Sequence, residues 1–589
     1  MIKTIIGLII LLFPFLLVNN FKNKKSGGFY VLSFMMFFHL AIAVLTQSFH
    51  IFNYNIVLGI NVIACIIILK KFDFNKFREN IKSIKIDWIF IFVLIILSIQ
   101  FFSVHYNYTG EVTTISESYK QVKNIKYVYP YFSDEWIAVS LVKYSIEFNS
   151  LPLSNPLWYN TPFPNLELGF HSFVSEIILL LNLNPLTQYT LLSIFTSILI
   201  CVLVYFILRI NKVSKLISAI ACLSIPYIIN GANLPGIWTL TPIIIGIITM
   251  LLGFLFMSVN SKKMSFFLAF MTLIFYPPLF IFYSVALIFY VVSKDIPKNE
   301  KQKLLFLYLL LCVVAALILL FFVISINPFK ETIYYIFSKI FYKTFTEGFI
   351  PNFNVFKVIP IPIFLISIFG IFKIPKKKTW LIAPVFAGAL YWVLYSFVTW
   401  RFIIEYERVV FATSLLIVLI SGFGFQYLIK YLRECNFIKK EFLQIILLLI
   451  LILFFIMSFS YTNRDNWKEL KLYSIDGGKI FNPASPANNY LYEDDLELFK
   501  EIKEKSFLTL PWKGTVIGAA TNNYPLETKP STITNRIARF SDFMNAECNE
   551  KLNMAKNKKI DYIYSPEFNC GSFNLVGQSN EGLYLYEIR

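Results

Sequence analysis

Asp134 and Glu135 stand side by side in a long polar stretch, 105–187, that interrupts a series of apolar runs. Carboxylates at the aqueous boundary of a membrane can accept the proton of a hydroxyl nucleophile or help hold a divalent cation. The local run is Tyr131-Phe132-Ser133-Asp134-Glu135-Trp136, followed by a helical pattern to Phe148. Successive helical residues project about 100° apart, so the two acids cannot aim at one atom. One can act on an acceptor hydroxyl or bind a metal while the other makes structural bonds. Alternatively, both simply favour the dipole of a helix N-terminus.

A second polar group is Arg401-Phe402-Ile403-Ile404-Glu405-Tyr406-Glu407-Arg408. If that run is helical, Arg401, Glu405 and Arg408 share a face at i, i+4 and i+7 and can pair with one another. An arginine at a lipid boundary suits a phosphate or pyrophosphate head group through its bidentate fork; the competing reading is an interfacial ion-pair cluster. Between these groups, Leu168-Gly169-Phe170-His171 opens another helix containing Glu176, which is costly in hydrocarbon and should face protein or water. His171 reads better as a hydrogen-bonded interfacial residue than as a base. Trp238 and Trp400 fit interfacial aromatic belts better than sugar stacking. Asn107-Tyr108-Thr109 matches a short glycosylation pattern.

The elements that must position these residues are membrane helices. Of 589 residues, 57% are hydrophobic and 15% charged, against about 25% charged in a soluble protein. Runs such as Ile89–Val104, Tyr189–Leu208 and Phe442–Ser460 are long enough to cross a hydrocarbon core of about 30 Å. The net charge of +18 invites a nucleic-acid partner. Its placement excludes one, because the basic residues punctuate the gaps between apolar runs as orientation signals. Those gaps, Lys22–Lys25, Lys70–Lys85, Arg209–Lys215, Lys262–Lys263, Lys294–Lys303, Lys373–Lys378 and Lys430–Lys440, belong in the cytoplasm.

One threading satisfies all of them. Leu166–Asn182 is a re-entrant or surface helix, and Phe266–Val292 is two short helices meeting at Tyr276-Pro277-Pro278 on the outer face, where proline breaks the helix. The expected fold is therefore an α-helical polytopic membrane protein of about fourteen spans, both termini outside, with a C-terminal extracytoplasmic α/β module. The expected domains are N-terminal spans (1–87), a transmembrane core with its outer catalytic loop (88–461), and the module (462–589). In the module Glu493–Lys505 and Phe540–Lys556 read as helices, while Phe507–Leu510, Thr515–Ala519, Ile560–Tyr564 and Leu583–Ile588 are β-prone. Cys548 and Cys570 can form a disulfide if this region lies outside the cell, and the four histidines show no zinc-ligand spacing.

This arrangement resembles the GT-C superfamily of integral-membrane glycosyltransferases, including protein mannosyltransferases and aminoarabinose transferases. The resembling features are Ser133-Asp134-Glu135-Trp136 in the first large outer loop, the run Leu157 to Phe173, and a span closing on Arg209-Ile210-Asn211-Lys212. Ser224-Ile225-Pro226-Tyr227, the helix pair at Tyr276-Pro277-Pro278 and the outer module complete it, covering Trp88 to Arg589. The resemblance implies a sugar donor on a polyprenyl phosphate or pyrophosphate and transfer on the outer face of the cell membrane. The acceptor would be an extracytoplasmic glycan, lipid or protein. It makes Asp134 the general base, Glu135 a supporting acid or acceptor contact, and Arg401 or Arg408 the holder of the donor phosphate. His171, Glu176, Tyr276 and Glu405 are candidate substrate contacts. No cofactor is assigned with certainty; a divalent metal is one option, with no ligand set to place it. The competing classes are a flippase or transporter of lipid-linked sugars, a glycan polymerase or ligase, and a silent scaffold. Nearly charge-free spans and acids confined to outer loops favour the enzyme.

Overall fold

The computed structural model describes residues 2–20, 26–70, 72, 87–106, 111–112, 122–123, 128–130, 133–153, 156–157, 165, 167–228, 236–293, 342–343, 358–398, 400–401, 406–435, 440–459, 491–528, 537–580 and 582–588, with isolated positions between 299 and 317. Helices dominate. The N-terminal set is α1 (Ile2–Leu12), α2 (Gly27–Ser48) and α3 (Tyr54–Lys70), followed by α4 (Trp88–Tyr106). The polar stretch 105–187 supplies α5 (Ser133–Phe148) and α6 (Leu168–Leu181). The core continues with α7 (Tyr189–Ile210), α8 (Lys215–Leu223), α9 (Pro242–Ser258), α10 (Lys262–Phe275) and α11 (Pro277–Val292). Then come α12 (Ile361–Lys373), α13 (Ala383–Val398), α14 (Tyr406–Glu434) and α15 (Lys440–Phe459).

This is an integral membrane protein. Among the described residues, α2, α7, α14 and α15 are long and apolar enough to cross a membrane, and nine further apolar helices are shorter. The expectation of about fourteen full spans is corrected accordingly. Proline is a physical reason for some of the shortening. Pro14 lies where α1 gives way to a tighter turn over Phe13–Asn20, Pro226 sits in the short turn after α8, and Pro277 and Pro278 restart the chain as α11. The expected pair of short helices meeting at Tyr276 is α10 and α11.

At the centre of the bundle is α9, in which every residue from Pro242 to Met257 is buried. It carries no charge, and a helix apolar on all sides belongs inside. Around it α4, α7, α8, α10, α11 and α14 build one continuous apolar core. Where α12 crosses α14, Gly370 faces the Ile420 carbonyl and Gly424 the Ile366 carbonyl, so a methyl group at either would strike backbone. Small residues permit such close approach in a membrane. The N-terminal helices cradle α6: Gly7 abuts the backbone of Leu180, and Ile10, Ile42, Phe52, Val57 and Leu180 share a cluster.

The C-terminal region contains α16 (Glu493–Leu498), α17 (Pro511–Thr521), α18 (Phe540–Asn545) and α19 (Cys548–Asn557). Two-residue strands β1 (Glu111–Val112) and β2 (Val122–Lys123) pair in the stretch 105–187, and β3 (Tyr342–Lys343) pairs with β4 (Trp400–Arg401). The C-terminal sheet holds β5 (Ser506–Leu508), β6 (Tyr524–Pro525), β7 (Tyr562–Ser565), β8 (Phe573–Gln578) and β9 (Tyr584–Ile588) in the order β6-β5-β7-β9-β8. Strand β5 runs parallel to β6 and β7, and β9 is antiparallel to β7 and β8. Alternate residues feed two clusters. Leu508, Ile563 and Tyr586 face one, while Phe507, Tyr564 and Leu585 face the other.

Three expectations for this region are corrected. Thr515–Ala519 is helix, not strand: Pro511 presets the first turn and the Thr515 hydroxyl donates back to the Pro511 carbonyl at 3.0 Å. Phe540–Lys556 divides at Ala546, whose backbone is extended, and restarts behind a Glu547–Glu550 capping box. The helix from Glu493 stops at Leu498. Cys548 and Cys570 form a disulfide, with Cα atoms 5.6 Å apart.

Candidate functional site

The three residues Asp134, Glu135 and Trp136 open α5 and face three surroundings, as a step of about 100° per residue requires. Asp134 keeps 26% of its side chain exposed and pairs with Arg408, whose Nη2 lies 3.2 Å from Oδ2. Arg408 also donates through Nη1 to the Tyr276 hydroxyl at 2.8 Å, with its guanidinium 5.7 Å from the Tyr276 ring centroid. An acid and an arginine at two helix starts and a tyrosine at a helix break thus converge from positions 134, 408 and 276.

Each is held by its element. Tyr276 occupies the break between α10 and α11, extended at φ −154°, and packs on Gly246 of α9. Arg408 lies in the first turn of α14, where Tyr406 stacks on Tyr395 of α13 at 4.6 Å and 13°. Glu135 has no exposed surface. Its Oε1 accepts from Ser193 Oγ at 3.0 Å and from the Leu240 amide at 2.8 Å, and Tyr189 donates to the Leu240 carbonyl at 2.8 Å. Those partners tie α5 to α7 and to the segment entering α9. Trp136, also fully buried, packs with Tyr129 and Leu157 against Leu491, Tyr492 and Val516 of the C-terminal region.

The remaining candidates lie elsewhere. Arg401 sits in β4, paired with Tyr342, and α14 starts only at Tyr406. The i, i+4, i+7 helical face of Arg401, Glu405 and Arg408 is therefore corrected: strand pairing takes Arg401 off the helix. Glu405 lies outside the described residues. His171 is buried near the start of α6. Glu176, fully buried on the same helix, accepts from His39 Nδ1 at 3.0 Å and Asn61 Nδ2 at 3.3 Å, joining α6 to α2 and α3. Trp238 is an interior residue, 4.6 Å from Phe101 and 1% exposed, and this replaces the interfacial-belt reading. Spacing gave no sign of Ser193 or Leu240 as partners of Glu135. His39 and Asn61 did carry one signal, since polar residues inside apolar helices need partners.

Two groups beside the site are shifted. Burial pushes the Tyr129 hydroxyl up, reinforced by Glu493 and Asp495. Burial pulls the Lys143 ammonium below the usual lysine range, with Glu147 opposing. For a metal, no three His, Cys, Asp or Glu side chains converge among the described residues. Asp134 already faces a guanidinium and Glu135 is turned away. The described residues do not make a metal site.

No protein-family model matches the chain, and no curated protein matches it. Among solved structures it is similar to an oligosaccharyltransferase of Archaeoglobus fulgidus tethered by a disulfide to an acceptor peptide containing the NVT sequon. That likeness has 11% identity over 81% of this chain and 69% of that one, with a TM-score of 0.43. It is also similar to the Archaeoglobus fulgidus oligosaccharyltransferase in complex with zinc and sulfate, at 14% identity, 80% and 68% coverage and a TM-score of 0.43. Likeness at this level assigns no residue and no activity here.

Proposed function

We propose that the chain is a membrane glycosyltransferase that moves a sugar from a polyprenyl phosphate or pyrophosphate to a hydroxyl acceptor outside the cell. The observation that carries this reading is the partly open Asp134–Arg408–Tyr276 group. It places a carboxylate able to take a proton beside a guanidinium able to hold an anion. When the donor arrives, its phosphate competes for Arg408 and frees Asp134. Asp134 then accepts the acceptor's proton as the acceptor atom bonds to the anomeric carbon. The bond from that carbon to the phosphate oxygen breaks, its electron pair stays on the phosphate, and Arg408 neutralises the added charge. Attack from the opposite face inverts the anomeric centre. Tyr276 holds the second guanidinium nitrogen and so orients the fork.

The disulfide supports an outward-facing module, because such bonds persist in oxidising compartments. The test is turnover of radiolabelled polyprenyl-phosphate sugars by the full chain in lipid, wild type against Asp134→Asn. We expect donor consumption by the wild type and a loss of about a hundredfold or more in the variant. Full turnover by folded Asp134→Asn would remove the assigned base.

One observation favours a second reading. Glu176, His39 and Asn61 form a buried polar group within apolar helices, as transporters place them. Movement of a lipid-linked sugar across proteoliposomes without bond formation would select that reading.

A further inference from the structure

We infer that the C-terminal region positions Asp134 from the opposite side of α5, and is not merely a tethered neighbour. This rests on the glycosyltransferase reading only for its effect on rate. Counted at about 100° per residue, Trp136, Lys143 and Glu147 fall within about 40° of one another and about 180° from Asp134. All three meet the C-terminal region. Trp136 is fully buried against Leu491, Tyr492 and Val516. Lys143 Nζ donates to the carbonyls of Ala519 at 3.1 Å and Ala520 at 2.9 Å, the last turn of α17, where a cation also meets the negative end of the helix dipole. Asn522, the left-handed residue that ends α17, donates through Nδ2 to Glu147 Oε2 at 2.7 Å.

These contacts run along about 16 Å of α5. The flank of the helix is held separately by Glu135, on Ser193 and Leu240. Back and flank together fix its rotation. A carboxylate carried about 6 Å from the axis moves about 1 Å for a rotation of about 10°, and a displacement of that size can cost about a hundredfold in rate. The grip on Lys143 and Glu147 therefore sets where Asp134 points relative to Arg408.

The test uses the full chain in lipid nanodiscs with Lys143→Met, Lys143→Arg and Asn522→Ala. The first readout needs no activity: the rate at which a water-soluble maleimide modifies the thiol introduced by Asp134→Cys, taken as the difference from the same protein retaining Asp134. We expect Lys143→Met to change that rate by about threefold or more, Lys143→Arg to restore it, and Asn522→Ala to shift it less in the same direction. The second readout is donor turnover, where Lys143→Met should lower kcat about tenfold and leave the donor KM within about twofold. An unchanged modification rate in Lys143→Met overturns the inference, and so does an equal change in the Met and Arg variants. If Lys143→Met does not fold, Asn522→Ala decides on the same criterion, since its side chain is exposed. A wild type that consumes no donor would remove the glycosyltransferase reading, and the modification rates would still decide the positioning.

Discussion

At the scale of single residues, adjacent acids have separate duties because a helix turns their side chains apart. Glu135 is buried, and its Oε1 accepts from Ser193 Oγ and the Leu240 amide; a buried donor left without its acceptor costs about 1–3 kcal/mol. Glu135→Ala should therefore lower the apparent Tm of the purified protein by several degrees. Asp134→Asn, at a partly exposed ion pair, should leave it nearly unchanged. Thermal unfolding followed by tryptophan fluorescence separates the two. Arg408→Lys keeps the charge and loses the fork that reaches Asp134 and Tyr276 together. We expect the donor KM to rise about tenfold or more, measured by turnover at varied donor concentration.

At the scale of elements, the site depends on helix ends and one helix break. Tyr276 owes its place to the prolines that follow it and to Gly246, where an added Cβ would come within 2.9 Å of the Tyr276 Cβ. Gly246→Val should displace Tyr276 and reduce turnover at least about tenfold, with the protein still recovered as a monodisperse species on size exclusion. The break at Tyr276-Pro277-Pro278 was legible in the sequence, because proline's missing donor and fixed φ act locally. The helix through Thr515–Ala519 was not, because β-prone residues there are overruled by the packing of Gly514 and Gly518 on Pro525 of β6. Arg401 failed for a similar reason: its partner, Tyr342, lies far off in the chain, and strand pairing is not local.

At the scale of the whole molecule, the N-terminal helices and the C-terminal region both close on the stretch 105–187. One set holds α6 through Glu176, and the other holds α5 through Lys143 and Trp136. Orientation is open to direct test at Cys435, an exposed free thiol just beyond α14. If the basic gap 430–440 is cytoplasmic, a membrane-impermeant maleimide should label Cys435 in inverted vesicles and spare it in right-side-out ones. The reverse pattern would overturn the topology. The disulfide closes a separation of 22 residues, so Cys570→Ser should destabilise the C-terminal region by about 2–4 kcal/mol, read as faster protease cleavage under native conditions.

Composition and hydropathy alone determined that this chain lives in a membrane, because about twenty consecutive apolar residues have few other stable surroundings. They also marked the acids between the apolar runs as worth attention, since charge is costly within such runs. Which acid meets an arginine, which arginine that is, and what grips the helix from behind were decided by tertiary structure. Asp134, Tyr276 and Arg408 are separated by more than a hundred residues at each step. No local periodicity records a meeting made only when α5, the α10–α11 break and the start of α14 pack against one core.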